Sequence, residues 1–252
     1  MLKAKILSSH RPLLGAFLGL PVPALAEVIG RAGFDFLILD GEHGYFPPEL
    51  IEECLRASDL VNLPTIVRIP EINQSHIQAA LDVGAWGVQV PAVETAKHAR
   101  TIVEASHFPP HGRRGFGSTT RAAGYGFFPR PDVIRKAADL AVIIQIETRR
   151  GVENLAEILA VDGIDMVFIG TGDLSLDYGY SSPADPAMLP LLHQTIRIIQ
   201  GAGKACGVHI ADLKSIPQMK ERGVRFFTVS ALAIIGQSLR GLVREFGEEL
   251  EK

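Results

Sequence analysis

The chain has 252 residues, of which 47% are hydrophobic and 21% are charged, and its formal net charge is -3. A chain of this length can bury a substantial core, and this composition excludes an intrinsically disordered protein. The small negative charge provides no basic surface for nucleic acid or for an anionic membrane, so the expected partner is a small molecule.

The N-terminal segment lacks the uninterrupted apolar stretch and the small-residue cleavage site of a secretory signal, and the sequence nowhere contains 18 consecutive apolar residues. We therefore expect a soluble, cytoplasmic protein. The two cysteines, Cys54 and Cys206, have neither the spacing of a zinc site nor that of a disulfide framework. We interpret both as small buried residues.

Eight short apolar segments, rich in β-branched and aromatic residues, are separated by glycine and proline, which is typical of buried parallel strands. They are LLGAFLGL (13–20), FDFLILD (34–40), PTIVRIP (64–70), WGVQVP (86–91), AVIIQIE (141–147), DMVFIG (165–170), CGVHI (206–210) and RFFTVS (225–230). Helical patterns lie between them, for example at 23–33, 48–60 and 189–203.

This alternation of strand and helix predicts a single (β/α)8 TIM barrel domain over residues 1–252. An open doubly wound sheet is the alternative, but such a sheet usually carries a glycine-rich loop after its first strand, and GLPVPA (19–24) is not one. One long connection, residues 107–132, precedes the fifth strand. Connections of this length in compact domains are usually functional or disordered.

Polar residues are concentrated at the ends of the predicted strands, which is where barrels build their chemistry. In chain order they are Asp40 to His43, Arg68, Gln89, Gln145 with Glu147, Gly170 to Asp173, and His209. Each also has an ordinary structural explanation: a turn former or helix cap for Asp40 and Asp173, a loop histidine for His43, and a salt bridge for Arg68.

Glu147 is the hardest of these residues to explain structurally, because an ionised carboxylate beside an apolar strand is costly unless a cation or hydrogen bonds compensate it. Mg²⁺ is typically held by one or two carboxylates, with water and substrate oxygens as its other ligands. We therefore predict that Glu147 and Asp173 bind a divalent cation. Gln145 shares a strand face with Glu147 and would orient a ligand or water.

Six segments, taken in order, resemble the HpcH/HpaI aldolase family. They are LDGEHG (39–44), IVRIP (66–70), LDVGAWGVQVP (81–91), FPPHGRRGFG (108–117), QIET (145–148) and VFIGTGDLS (167–175), and the resemblance extends from Gly15 to about Gly236. It implies a metal-dependent class II aldolase on a pyruvate-type (β/α)8 barrel. Such enzymes are commonly hexameric and cleave 4-hydroxy-2-oxo acids to pyruvate and an aldehyde.

Carried over by motif, the resemblance assigns Glu147 and Asp173 to Mg²⁺ or Mn²⁺ and places Gln145 against the bound oxo acid. It assigns the substrate carboxylate to the backbone of the loop that contains Gly170 and Gly172. Relatives commonly have Pro followed by a small residue where this chain has Thr-Gly.

The same resemblance gives His43, supported by Asp40, the proton-transfer role, and it gives Arg68 the carbonyl oxygen of the substrate. Asp82 is expected to approach the site of a neighbouring subunit. His209 lies where we expect an aliphatic residue, and the resemblance assigns it no role.

The lysines also favour a metal. An aldolase stabilises its enolate either through a Schiff base on lysine or through a cation on the oxygen. The lysines lie at 3, 5, 97, 136, 204, 214, 220 and 252, and none is at the C-terminal end of a predicted strand. A metal is therefore the remaining route.

Two other functions stay open. A citrate-lyase-like lyase or a 2-oxo acid decarboxylase would use the same parts, and Arg113, Arg114, Arg121 and Arg130 could form a basic approach surface for a CoA thioester. A non-catalytic metabolite-binding barrel is the other possibility. The aldehyde half of the substrate is not fixed, since loops select it. The apolar stretch 229–236 has no glycine-rich phosphate cradle, which favours a non-phosphorylated substrate.

Overall fold

The computed structural model describes residues 2–8, 11–44 and 47–251. Eight parallel strands follow one another in chain order around a closed barrel, so the predicted (β/α)8 fold is confirmed. The strands are β1 (Leu13–Leu18), β2 (Phe36–Asp40), β3 (Thr65–Arg68), β4 (Gly87–Val90), β5 (Ala141–Ile146), β6 (Met166–Ile169), β7 (Ala205–His209) and β8 (Phe226–Ser230). The domain boundaries 1–252 stay a prediction.

Helices alternate with these strands around the outside. They are α1 (Leu2–Ser8), α2 (Pro23–Arg31), α3 (Pro48–Leu60), α4 (Gln74–Asp82), α5 (Ala96–Ser106), α6 (Arg130–Ala137), α7 (Arg149–Glu153), α8 (Leu155–Leu159), α9 (Thr171–Asp177), α10 (Met188–Gly201), α11 (Ile216–Glu221) and α12 (Ala231–Leu250). Two short 3-10 helices lie at Arg121–Gly126 and Leu213–Ser215.

Successive strand residues face opposite sides of the barrel wall, which explains why the strands are apolar throughout. In β2, Phe36 and Ile38 belong to the cluster inside the barrel, whereas Leu37 and Leu39 belong to the cluster between wall and helices. Cys54 and Cys206 are buried in the outer cluster, as predicted.

The lower end of the barrel, where the strands begin, is closed by apolar side chains. Helix α1, which the sequence analysis did not predict, places Leu2 and Ile6 in the interior cluster. The rings of Phe36 and Phe226 stack there with centroids 3.8 Å apart. Ligands can therefore reach the interior only from the mouth, where the strands end.

The long connection at 107–132 lies at the lower end, because it follows α5 and precedes β5. It is well packed: Arg121 donates to the carbonyl oxygen of Val83 at 2.9 Å, and Arg114 donates to Asp82 at 2.7 Å. The arginines of this connection are therefore at the opposite end of the barrel from the mouth of their own subunit.

Helix α12 extends 20 residues beyond β8, and the sequence analysis did not predict it. Many of its large apolar side chains are exposed, namely Leu232, Ile234, Ile235, Leu239, Leu242, Val243, Phe246 and Leu250. Within the described parts of the chain, no helix has the length and apolar character needed to cross a membrane. The cytoplasmic location stays a prediction.

Candidate active site

Five polar side chains are buried at the mouth of the barrel, on strands β2 to β5 or directly after them. They are Asp40, Arg68, Gln89, Gln145 and Glu147. The predicted strand-end residues of this half of the barrel therefore lie at one rim, because parallel strands in a closed barrel all end on the same side.

Arg68 and Asp40 form a two-point ion pair between neighbouring strands. The register pairs the two residues directly, and Arg68 donates to the Asp40 carboxylate from Nε at 2.8 Å and from Nη2 at 2.7 Å. Its Nη1 lies 2.7 Å from Oε2 of Glu42, and its guanidinium lies 4.8 Å from the centre of the Phe17 ring. A guanidinium has five N–H donors. Two N–H groups therefore remain for a ligand.

Glu42 lies between Arg68 and His43. Its carboxylate is 3.9 Å from Nε2 of His43, whose side chain is 64% exposed at the rim. Burial raises the pKa of Glu42, and the charge of Glu147 adds to this effect, while the charge of Arg68 opposes it. Asp40, the predicted support of His43, accepts from the backbone N–H of His43 at 3.2 Å. The carboxylate near the imidazole is thus that of Glu42.

Glu147 is only 5% exposed, and two donors hold its carboxylate. The backbone N–H of Ala92 donates to Oε1 at 2.7 Å, and the side-chain amide of Gln145 donates to Oε2. Ala92 has a φ of 53°, a conformation that is uncommon for a residue other than glycine. This backbone turn aims the N–H at the carboxylate.

The pKa of Glu147 is raised because burial disfavours its charged form. The hydrogen bonds from Gln145 and Ala92 oppose this shift, whereas the charge of Asp173 reinforces it. Asp173 lies in the first turn of α9 and is exposed. The structure therefore brings the two predicted metal ligands within electrostatic range of each other.

Gly170 leaves room for this carboxylate. A Cβ built at Gly170 would lie 2.6 Å from Oε2 of Glu147 and 2.8 Å from its Cβ. A Cβ built at Gly172 would meet nothing within 4 Å. Glycine at 170 is thus required sterically, whereas the exposed Gly172 is free of such a constraint.

Gln89 is hydrogen-bonded to the same Gln145 side chain that contacts Glu147. Its Nε2 donates to Oε1 of Gln145 at 2.5 Å, and both side chains are buried. The amide of Gln145 therefore contacts Gln89 on one side and Glu147 on the other. The sequence analysis recognised Gln89 as a strand-end polar residue but gave it no role.

The donor set fits a hard divalent cation. Glu147 and Asp173 supply two carboxylates, and Mg²⁺ is typically held by one or two of these together with water and substrate oxygens. Among the residues that the structure describes, no group of three or more His, Cys, Asp or Glu side chains is arranged to hold a metal. The other ligands of a bound cation would therefore be oxygens of water or of the substrate.

His209 lies at the end of β7. Its Nδ1 is 3.2 Å from Oγ1 of the buried Thr228, and its ring contacts Phe17 edge to face at 6.0 Å. Partial burial and the charge of Arg68 lower its pKa. Its imidazole is therefore a further polar group beside Phe17.

Asp82 is the predicted site residue that lies away from this mouth. It ends α4, which runs down the outside of the barrel before β4 begins, so it lies near the lower end. The buried guanidinium of Arg114 holds its carboxylate at 2.7 Å. Within one subunit, Asp82 and Glu147 are at opposite ends of the barrel.

Sequence reasoning missed the contacts of Glu42 and Gln89 and the role of the Ala92 N–H. Two signals in the sequence could have indicated them. Gln89 faces the barrel interior by the two-residue period of β4, and Glu42 is only two residues after Asp40. No sequence signal could have identified the N–H of Ala92, because almost any residue supplies a backbone N–H.

Comparisons with known proteins identify the family of the chain. The family model described as HpcH/HpaI aldolase/citrate lyase matches residues 13–238. The chain is 38% identical over 247 residues to a 4-hydroxy-2-oxo-heptane-1,7-dioate aldolase of Salmonella arizonae, covering 96% of this chain and 93% of that protein. It is 37% identical over 232 residues to a hydroxypyruvate/pyruvate aldolase of Roseobacter denitrificans, covering 90% and 89%. A solved family protein of Burkholderia cenocepacia superposes with a TM-score of 0.90 at 32% identity, covering 100% and 99%.

The Asp40 and Arg68 pair gives a prediction for stability against pH. Burial raises the pKa of Asp40, but the hydrogen bonds and charge of Arg68 and two backbone N–H groups outweigh it, so the pKa is lowered overall. A lowered folded-state pKa stabilises the fold above the unfolded value of about 3.9, and this stabilisation is lost as the pH falls through the folded value. Asp40→Asn should therefore cost about 1–3 kcal/mol at pH 7 and progressively less below about pH 4.

Denaturant unfolding of both proteins at pH values from 7 to 3 measures this difference. Asp162→Asn, at an exposed position, is the matched control and should show a difference near zero throughout. A cost of Asp40→Asn that is the same at pH 7 and pH 3 would contradict the ionic origin of the stabilisation.

Proposed function

The chain belongs to the HpcH/HpaI aldolase/citrate lyase family, and from this premise we propose how its mouth cleaves a 4-hydroxy-2-oxo acid to pyruvate and an aldehyde. The protein is a carbon–carbon lyase of the aldolase class. The observation that carries the proposal is the buried Glu147 carboxylate, which lies in the same mouth as the two remaining N–H donors of Arg68.

Glu147 and Asp173 are the proposed ligands of a divalent cation, either Mg²⁺ or Mn²⁺. Two facts support them: the charge of Asp173 acts on Glu147, and burial makes an uncompensated Glu147 carboxylate unfavourable. A bound cation would supply positive charge beside the oxygens of the 2-oxo acid. It would therefore help the oxo acid to accept the electrons of the bond that breaks.

Arg68 and Gln145 would bind the oxo acid. Arg68 is held rigidly by Asp40, so its free N–H groups are positioned for the 2-oxo oxygen, where negative charge grows as the C3–C4 bond breaks. Gln145 contacts the acid through its amide. The backbone between Gly170 and Gly172 opens helix α9 and would receive the carboxylate.

His43 is the proposed base. It would remove the proton of the C4 hydroxyl, the C4–O bond would become the carbonyl of the aldehyde, and the electrons of the C3–C4 bond would pass to the oxo-acid half. The proton held by His43 would then be returned to C3, directly or through water, to give pyruvate. The exposed imidazole can reach a substrate that enters from the rim. Asp40 and Glu42 would position it, the first through the His43 backbone and the second beside the ring.

The relatives' names bear on both halves of the substrate. One name refers to a heptane-1,7-dioate, so an aldehyde with a distal carboxylate is a candidate, and the other refers to the oxo-acid half, either hydroxypyruvate or pyruvate. The alternative, a citrate-lyase-like lyase or decarboxylase, shares the family name. A CoA approach built by the arginines of the 107–132 connection would have to come from another subunit, because these residues lie at the lower end.

The same geometry supports a homo-oligomer, which we propose to be a hexamer. The exposed apolar side chains of α12 form a stripe that a partner subunit could cover. Asp82 lies at the wrong end of its own barrel to serve the mouth beside it. A site completed by Asp82 therefore requires a neighbouring subunit.

The reaction is tested by pyruvate release. Purified protein with added Mn²⁺ or Mg²⁺ should release pyruvate from 4-hydroxy-2-oxo acids, and EDTA should abolish the release. His43→Ala should lower cleavage by about 10²–10⁴, because positioned proton transfer is worth that much, while binding of pyruvate persists. Loss of pyruvate binding together with cleavage would contradict the base assignment, and metal-independent cleavage would contradict the proposed reaction.

The two glycines test the metal site with a matched pair of variants. Gly170→Ala drives a methyl group into the Glu147 carboxylate, whereas Gly172→Ala meets open space. Calorimetric titration with Mn²⁺ should find at least a tenfold weaker affinity for Gly170→Ala, about the size expected when the shell around a ligand is disturbed. Gly172→Ala should bind Mn²⁺ like the wild type. Equal affinities for all three proteins would place the metal elsewhere.

Mixed oligomers test the shared site. Asp82→Ala and Glu147→Ala should each be inactive alone, but refolding them together should restore roughly a quarter of wild-type activity, because random pairing in a symmetric oligomer makes about that fraction of sites whole. Light scattering gives the subunit number of the same samples. An active monomer, or mixtures without restored activity, would contradict a site built from two subunits.

A further inference from the structure

We propose that Gln89 is a positioning residue, which fixes the direction of the Gln145 amide and thereby the orientation of the Glu147 carboxylate. The inference rests on the proposed role of Glu147 as a metal ligand. It adds a residue of β4 to a metal site whose proposed ligands follow β5 and β6.

The three side chains form a row of hydrogen bonds across two neighbouring strands. Gln89 donates from Nε2 to Oε1 of Gln145 at 2.5 Å, and Gln145 donates from Nε2 to Oε2 of Glu147. Their exposed fractions are 0%, 2% and 5%. Since bulk water hardly reaches the row, the protein itself must determine how each amide is turned.

The carboxylate determines the polarity of the row. An ionised carboxylate can only accept, so the amide of Gln145 must turn its NH₂ group toward Glu147. Its carbonyl oxygen then faces Gln89, which must in turn present an NH₂ group. Gln89 reinforces that orientation, because in the flipped one an oxygen of Gln145 would face the carboxylate and its NH₂ group would face the NH₂ group of Gln89.

The far end of the row indicates that it does not serve stability alone. Among the described residues, Oε1 of Gln89 is a buried acceptor without a hydrogen-bond partner. A buried unsatisfied acceptor costs free energy, and an apolar side chain of the same length would avoid that cost. The retained amide is explained if its N–H is needed on the other side, at Gln145.

The row also limits what Gln145 can recognise. Its oxygen is occupied by Gln89, and one of its two N–H groups is occupied by Glu147. The second N–H is left for a ligand, so Gln145 can act toward the substrate as a donor. It therefore offers a hydrogen bond to an oxygen of the oxo acid.

A double-mutant cycle tests the proposal with Mn²⁺ affinity as its readout. Gln89→Met, Gln145→Met and the double variant are titrated calorimetrically without substrate. Gln89→Met should weaken Mn²⁺ binding about tenfold, in the range found for residues that orient a metal ligand. The same substitution should have no further effect when Gln145 is already Met, because Gln89 acts through that amide.

Thr228→Val is the matched control. Thr228 is another fully buried polar side chain of the barrel, and its hydroxyl contacts His209. It should leave Mn²⁺ affinity unchanged, and thermal melting of every variant reports on folding. Gln89→Leu removes the same donor with a different shape and replaces Gln89→Met if the latter does not fold.

The outcomes separate this inference from the proposed function. Wild-type Mn²⁺ affinity in Gln89→Met, or an equal loss with and without Gln145, overturns the positioning role while leaving the metal site intact. Unchanged Mn²⁺ affinity in Glu147→Ala overturns the metal site, and the inference falls with it.

Discussion

The carboxylate of Glu147 lies where almost no solvent reaches it, and removing an ion from water costs several kcal/mol in a protein. Much of the mouth is arranged around that cost. The backbone after β4 adopts an uncommon left-handed conformation at Ala92 to supply an N–H, Gln145 supplies a second donor, and position 170 has no side chain. These features come from three different strands or the loops after them. The closed barrel is what brings them to one point.

Negative groups outnumber positive ones in this mouth. Asp40, Glu42, Glu147 and Asp173 act on one another or on the guanidinium of Arg68. Burial is the main cause of the raised pKa values of Glu42 and Glu147, and the neighbouring carboxylates add to it. An anionic 2-oxo acid would be repelled by such a surface. A divalent cation bound as proposed would reverse that repulsion, so the same charges that exclude the substrate alone would favour the substrate together with the cation. Arg68 keeps its position in either case, because Asp40 holds it at two points.

The barrel could be predicted from the sequence because each strand is a continuous apolar segment with glycine or proline beside it, and all eight segments are strands in the structure. Helix α1 could not be predicted, because it is stabilised by Leu2 and Ile6, which pack against the interior of the barrel that the distant strands form. The predicted residues of the mouth were identified by their positions at strand ends. Their partners were not: Asp40 contacts Arg68 rather than the His43 ring, and Gln89 reaches Gln145 only because of the stagger between β4 and β5. Stagger is a property of the closed barrel, and no local pattern encodes it.

A barrel with a closed lower end has one entrance, and this imposes an order on substrate binding and product release. Arg68, Gln145 and Glu147 are buried below the rim, whereas His43 is exposed above them. The half of the substrate bound by the deeper residues must enter before the half that faces His43 and must leave after it. Cleavage would then follow ordered kinetics in which the aldehyde departs first and pyruvate last. In the direction of synthesis, pyruvate would be the first substrate to bind, and a second aldehyde could exchange for the first while pyruvate stays in place.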